Sequence, residues 1–206
     1  METKQTQPKV ILHDKDIREP LFEYLEETYG KVRILEEKQS GRAIADVVMI
    51  TPDIMYGIEI KSDADTYTRL EKQVKYYNWY YDRNIIVVGS SHAHHVDEHV
   101  PAFWGIISVE GSYGNPDIYV VREPKENPKV KDKRKISILW RPELNHLLEL
   151  NHMPKYREKS KAFVQDKLLE KVPAEILWPQ VYEELFQRDY TLMLKKIEEY
   201  RQKGRT

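Results

Sequence analysis

The chain of 206 residues contains no cysteine. That excludes a thiolate metal site, a cysteine nucleophile and a disulfide framework, and predicts a reducing, intracellular setting. Long apolar runs are also missing. No stretch approaches the roughly 18 consecutive apolar residues that a membrane-spanning helix needs. The polar start, METKQTQPKVILHDKD, lacks the apolar segment of a signal peptide. A cytoplasmic protein without a membrane partner is the expectation. Charge of one sign is scarce too: 33 Lys and Arg stand against 34 Asp and Glu, a formal net charge of −1. Net charge therefore selects no partner.

The charge is unevenly spread, however. Carboxylates crowd Glu19–Glu37, while Lys129, Lys131, Lys133, Arg134 and Lys135 form a basic run, with further basic groups at Lys155–Lys161 and Lys195–Arg205. A site that binds divalent cations needs local acidity, and a phosphate footprint can lie elsewhere. Each basic run alone reads first as an ordinary solvated face or linker. The length allows one good core and a small second subdomain.

Periodicity gives the order of elements. Ile17, Leu21, Tyr24, Leu25 and Thr28 fall at helical spacing, which predicts a helix over 17–29 capped by Asp16 or Glu19, with Pro20 in its first turn. Lys31–Glu36 reads as a strand. Ala45–Ile50 (ADVVMI) is an apolar strand with one charge, Asp46. After a turn at Thr51–Asp53, Tyr56–Lys61 (YGIEIK) alternates strictly: Tyr56, Ile58 and Ile60 on one face, Gly57, Glu59 and Lys61 on the other. A helix is predicted from about Asp65, with Asp65 or Thr66 as N-cap, to Tyr81, burying Leu70, Val74, Tyr77 and Tyr81. Strands follow at Asn84–Gly89, Trp104–Glu110 and Asp117–Val121. The proline- and charge-rich stretch after them reads as a linker. Helical patterns then recur around 142–150, 157–171, 179–187 and 190–203. The predicted organisation is a polar tail (1–13), a mixed α/β core (14–125), a charged linker (126–138) and a helical C-terminal subdomain (139–206).

One constellation carries chemistry. If the strands around 46 and 59 form an antiparallel hairpin, Asp46 lies opposite Glu59 or opposite Lys61. Either register puts all three side chains on one face, because 59 and 61 are two apart. Three ionisable groups on strands otherwise built of Val, Ile and Met are unfavourable unless they have a use. The two carboxylates and the Ile60 backbone carbonyl are hard oxygen ligands suited to Mg²⁺ or Mn²⁺. A cation there would polarise a phosphodiester, and Lys61 could orient a water or stabilise developing charge. A surface ion pair is the bland alternative, but the apolar strands and the turn length favour a site. On the helix that follows, Gln73 and Tyr77 are four apart and Arg69 is one turn earlier. All three are candidates to grip a phosphate or nucleotide.

The order helix, three strands, helix, strand, with Asp46 and Glu59-Ile60-Lys61 on the second and third strands, resembles the PD-(D/E)xK nuclease superfamily. Gln73-Val-Lys-Tyr-Tyr77 matches the Q-x-x-x-Y motif of its RecB-like branch, and the resemblance covers roughly residues 14–110. It implies a restriction-endonuclease-like αβββαβ core with a mixed central sheet, followed here by the small helical subdomain. It implies further that Asp46 and Glu59 hold Mg²⁺ or Mn²⁺, that Lys61 is the catalytic lysine, and that Gln73 assists. The predicted activity is metal-dependent hydrolysis of DNA, double- or single-stranded, in bacterial or phage DNA processing, repair or defence. The alternative is a non-cleaving nucleic-acid-binding or partner-adaptor protein on the same fold. Ala45 stands where the motif's name has proline. An upstream acidic ligand is open between Glu23, Glu36 and Glu37, with Glu36 preferred.

Other signals are weaker. His92, His94, His95 and His99 with Asp97 or Glu98 could bind zinc, but the segment lacks a His-Glu-x-x-His order and reads as a solvated loop. Trp104 reads as packing, Asp65 as a cap and Asp63 as a group that could support the site. The C-terminal helices could pack, grip DNA, or mediate a homodimer or a partner contact.

Overall fold

A run of apolar strands has no polar side to offer water, so both faces of their sheet must be covered. The computed structural model, which describes residues 11–40, 43–112 and 115–188, shows how. The chain is α/β. Helix α1 (Asp14–Tyr29) leads into β1 (Arg33–Ser40), β2 (Ala43–Ile50) and β3 (Met55–Lys61). Helix α2 (Leu70–Tyr80) follows, then β4 (Arg83–Gly89), β5 (Gly105–Ser112) and β6 (Asn115–Arg122). The C-terminal part holds α3 (Asp132–Lys135), α4 (Arg141–Leu150), α5 (Lys161–Lys171) and α6 (Ala174–Phe186). Among the described residues no helix is long and apolar enough to cross a membrane.

The strands form one mixed six-stranded sheet in sequence order. The pairs β1–β2, β2–β3 and β5–β6 are antiparallel, and β3–β4 and β4–β5 are parallel. A parallel neighbour requires a crossover, and α2 supplies the one between β3 and β4. On one face Ile17, Leu21 and Leu25 of α1 pack on Val47, Met49, Ile58, Ile60, Ile85 and Val87. On the other, Val48, Ile50, Ile86, Val88 and Ile106 meet Leu70, Val74 and Tyr77 of α2. Alternation along β3 divides as its sequence requires: Tyr56, Ile58 and Ile60 go to the α1 side, leaving Gly57, Glu59 and Lys61 to the α2 side. Gly57 lets α2 approach, because a Cβ there would come within 2.2 Å of the Tyr81 ring and 2.7 Å of the Tyr77 ring.

Several element boundaries differ from the sequence expectation. Helix α1 begins at Asp14 with His13 as N-cap, and Asp16 sits inside it, accepting the His13 N–H at 2.9 Å. Pro20 is accordingly in the second turn. Helix α2 begins only at Leu70, with Arg69 as N-cap. Asp65 does not cap it, because its carboxylate accepts the Ser62 N–H and Oγ–H at 2.8 and 2.7 Å and closes a turn at the end of β3.

The expected linker is built into the core. Asn127 is buried, and its amide donates to the carbonyls of Asn78 (3.0 Å) and Tyr81 (2.7 Å), closing the C-terminus of α2. Lys135 of α3 is buried as well. Among the described residues the C-terminal helices form no second core: Leu144, Leu147, Val164, Leu168, Leu177, Val181 and Leu185 join the α2-side cluster directly. The helix expected at 190–203 lies outside the described residues.

Candidate functional site

The β2–β3 ladder runs from Ile50↔Met55 to Val47↔Ile58 and stops there. Its register brings Asp46 next in line with Glu59, the first of the two alignments the turn length allows. Beyond the last pair the strands part around side chains. Asp46 Oδ2 accepts the Ile60 N–H at 2.9 Å. The Tyr77 hydroxyl accepts the Asp46 N–H at 3.1 Å and donates to the Ile58 carbonyl at 3.2 Å. A phenol from α2 thus stands where main-chain bonds would continue the ladder. The Ile60 carbonyl leaves the strand on the same side as its N–H, towards Asp46.

Glu59 lies on that face with its side chain 0% exposed. Two donors converge on its Oε1: Lys61 Nζ at 2.5 Å and the Gln73 side-chain amide. Its Oε2 is buried with no partner, and so is the Gln73 Oε1. Buried acceptors without donors are unfavourable by about 1–3 kcal/mol each. Burial, then the Asp46 charge, raises the Glu59 carboxyl from 4.5 to about 7, although Lys61 opposes the rise. Burial also raises Asp46, opposed by the Ile60 N–H, Lys61 and Arg18.

This donor set suits a divalent cation. An acceptor-rich pocket with an unpaired carboxylate oxygen is what a hard cation satisfies, and Asp46, Glu59 and the Ile60 carbonyl are oxygen ligands on one side of β3. Among the described residues no cluster of three His, Cys, Asp or Glu side chains forms, and Asp46 and Glu59 are the carboxylates brought together here. Mg²⁺ commonly keeps several waters and needs few protein ligands.

The remaining candidates separate clearly. Gln73 is at the site through Glu59. Arg69 is exposed one turn earlier, and its carbonyl accepts the Gln73 N–H at 3.1 Å. Tyr77 is 1% exposed, so it has almost no surface to offer a substrate; its hydroxyl bonds the two strands and lies close enough to Glu59 to oppose the rise of that carboxyl.

Glu36, the preferred third ligand, is on the wrong face. It pairs with Val47, whose side chain packs on the α1 side, and paired residues share a face. There Arg18 holds its carboxylate at 3.1 Å, while also reaching the Asp46 carbonyl at 3.5 Å. Glu23 is exposed on α1, also across the sheet from Asp46. The same β1–β2 register puts position 37 opposite position 46.

Asp63 ties loops together, accepting the Leu12 N–H (3.1 Å), the Ser91 N–H (2.8 Å) and the Ser91 hydroxyl (2.6 Å). The Tyr67 ring lies against both His92 (4.8 Å) and His99 (4.3 Å), in a loop whose Val96–Glu98 forms a short 3₁₀ turn. Trp104 is fully buried and donates to Asn78 at 2.8 Å.

No curated protein matches the chain. A solved structure described as the SPO1766 protein of unknown function from Silicibacter pomeroyi is similar at 23% identity and a TM-score of 0.45, over 71% of this chain and 93% of that one. The model of the family described as bacteriophage P4 protein cII matches residues 9–201, and the chain belongs to that family.

Proposed function

We propose that the protein is a metal-dependent nuclease that hydrolyses DNA phosphodiester bonds, with Mg²⁺ or Mn²⁺ held by Asp46, Glu59 and the Ile60 carbonyl. The observation that carries this is the convergence of Asp46, Glu59 and Lys61 where β2 and β3 part, with Glu59 Oε2 buried and unpartnered. The connectivity from α1 through β4, with the aspartate on β2 and Glu-x-Lys on β3, supports a restriction-endonuclease-like core. A cation held there would polarise the scissile phosphate and acidify an attacking water.

The side chains have distinct tasks. Ile60 N–H orients the Asp46 carboxylate, and Gln73 holds Glu59. Lys61 Nζ, which now bonds Glu59, would be available with a cation on that carboxylate to orient the attacking water or to stabilise charge on the phosphate oxygens. Water adds to phosphorus and gives up a proton, the P–O bond to the leaving sugar oxygen breaks, and that oxygen takes up a proton. The cytoplasm, and bacterial or phage DNA metabolism, are the proposed setting.

The test is incubation of linear, nicked and single-stranded DNA with the protein and Mg²⁺ or Mn²⁺. Cleavage is expected, and it should be lost in Asp46→Ala and Lys61→Ala. Cleavage that survives both substitutions would sink the proposal. One observation favours a non-cleaving nucleic-acid-binding or adaptor protein instead: Glu59 is shut from solvent, with Lys61 and Gln73 closed over it. DNA binding in EDTA, with no cutting under any metal, would select that reading.

A further inference from the structure

Helix α2 turns Leu70, Val74 and Tyr77 to the core and presents Lys72, Lys75 and Trp79 on its opposite side. The segment before α3 folds against this side, held by the Lys131 N–H to the Trp79 carbonyl at 3.0 Å. Three cations consequently gather at one ring. Lys131 Nζ lies 4.7 Å, Lys75 Nζ 5.5 Å and the Arg134 guanidinium 5.8 Å from the Trp79 centroid. The Tyr76 ring meets Trp79 edge-on at 5.4 Å.

All three cations are exposed, and none has an ion pair among the described residues, whereas Lys133 beside them is bonded to Asp166. The carboxylates on α2 and α3 are only Glu71 and Asp132. Ordinary surface cations spread out or pair. Here the fold brings together side chains from two segments far apart in sequence, on one ring and without an ion pair among the described residues. A ring covered by cations is not free to stack a base, so the surface reads charge rather than sequence.

We infer that Lys75, Lys131 and Arg134, organised on Trp79, form a site for the phosphate backbone of a nucleic acid. Its position fits a track: the exposed Lys72 and, at the N-cap of α2, Arg69 continue the cluster towards the helix N-terminal end, where Gln73 touches Glu59. Phosphates bound at Trp79 would thus lead a strand along α2 towards Asp46 and Lys61. The inference rests on the nuclease reading for its substrate but concerns residues outside that site.

The test is binding of a labelled DNA duplex and of a labelled single strand in EDTA, where nothing is cut, across about 0.05–0.2 M salt. The triple variant Lys75→Ala, Lys131→Ala, Arg134→Ala should bind duplex at least about tenfold more weakly, with a log–log salt slope shallower by about 2 to 3. Each single change to Gln should remove about 0.9 from the slope, which keeps the test valid if the triple variant misfolds. A control, Lys155→Ala, Lys167→Ala, Lys171→Ala, removes the same charge from the C-terminal region and should leave the slope nearly unchanged. An unchanged slope in the cluster variants, an equal loss in the control, or no DNA binding by the native protein would overturn the inference. Steep, cluster-dependent binding without cleavage would sink only the nuclease reading. Cleavage with an unchanged slope would sink only this one.

Discussion

Two ionic clusters sit on the α2 side of the sheet, each with a buried lysine, and they are built to opposite specifications. At the start of β3, Asp82 accepts the Met55 N–H at 3.1 Å and the Tyr182 hydroxyl at 2.9 Å, and it binds Lys135. Lys135 also donates to Tyr182 at 2.7 Å and lies 3.9 Å from the Trp178 centroid. Both Asp82 oxygens have partners. At the end of the same strand, Glu59 takes two donors on one oxygen and none on the other. The satisfied cluster joins β3, α3 and α6 and has nothing left to offer. The unsatisfied one keeps acceptor capacity in a desolvated place, where a cation would be held strongly. Similar residue types are therefore saturated at one end of a strand and left with an open acceptor at the other.

Removing the lysine from each cluster should separate the two roles. Lys61→Ala is expected to lower DNA cleavage by about 100- to 1,000-fold or more in a steady-state assay while the fold survives. Lys135→Ala should leave the half-buried Asp82 without its cation and destabilise the protein by about 1–3 kcal/mol in denaturant unfolding. Its cleavage at low temperature should stay close to native. If the two variants exchange these outcomes, the contrast between the clusters is wrong.

Metal and pH sharpen the contrast further. Because burial raises Glu59 from 4.5 to about 7, the folded chain binds this proton more tightly than the unfolded chain. Its contribution to stability is complete below 4.5 and is lost as pH rises to about 7. Cation binding needs the deprotonated carboxylate, so metal should restore stability where the proton no longer does. At about pH 8, Mg²⁺ at 100 times its dissociation constant should add about 2.7 kcal/mol, and the gain should shrink towards zero near about pH 5.5. Melting curves of Glu59→Gln should show neither the slope nor the gain. The smallest effect is expected for Tyr77→Phe, about 1–2 kcal/mol, from leaving the Asp46 N–H and Ile58 carbonyl without their hydroxyl. Unaltered cleavage in that variant would show that the hydroxyl does not position Asp46.

Much of the site was legible because strand geometry is local. YGIEIK alternates with period two, so Glu59 and Lys61 had to share a face, and a short turn bound Asp46 to that face in either register. The four-residue spacing of Gln73 and Tyr77 likewise placed both on the inner side of α2. Illegible were the features that depend on segments distant in sequence. Glu36 looked like a ligand until the β1 register set it beside Val47 on the α1 side. Tyr77 looked like a substrate contact, yet its hydroxyl is spent between two strands whose separation no local pattern announces. The stretch 126–138 has the composition of a linker, but Asn127 finds the open carbonyls at the end of α2 and Lys135 finds Asp82.

The sequence by itself determined the strands, their faces and the grouping of Asp46, Glu59 and Lys61, because periodicity and chirality act between near neighbours. Only the tertiary structure decided which oxygen of Glu59 is unpartnered, which buried lysine is structural, and where the cations of the basic run gather. Those outcomes are set by desolvation and by hydrogen-bond partners that arrive from other parts of the fold.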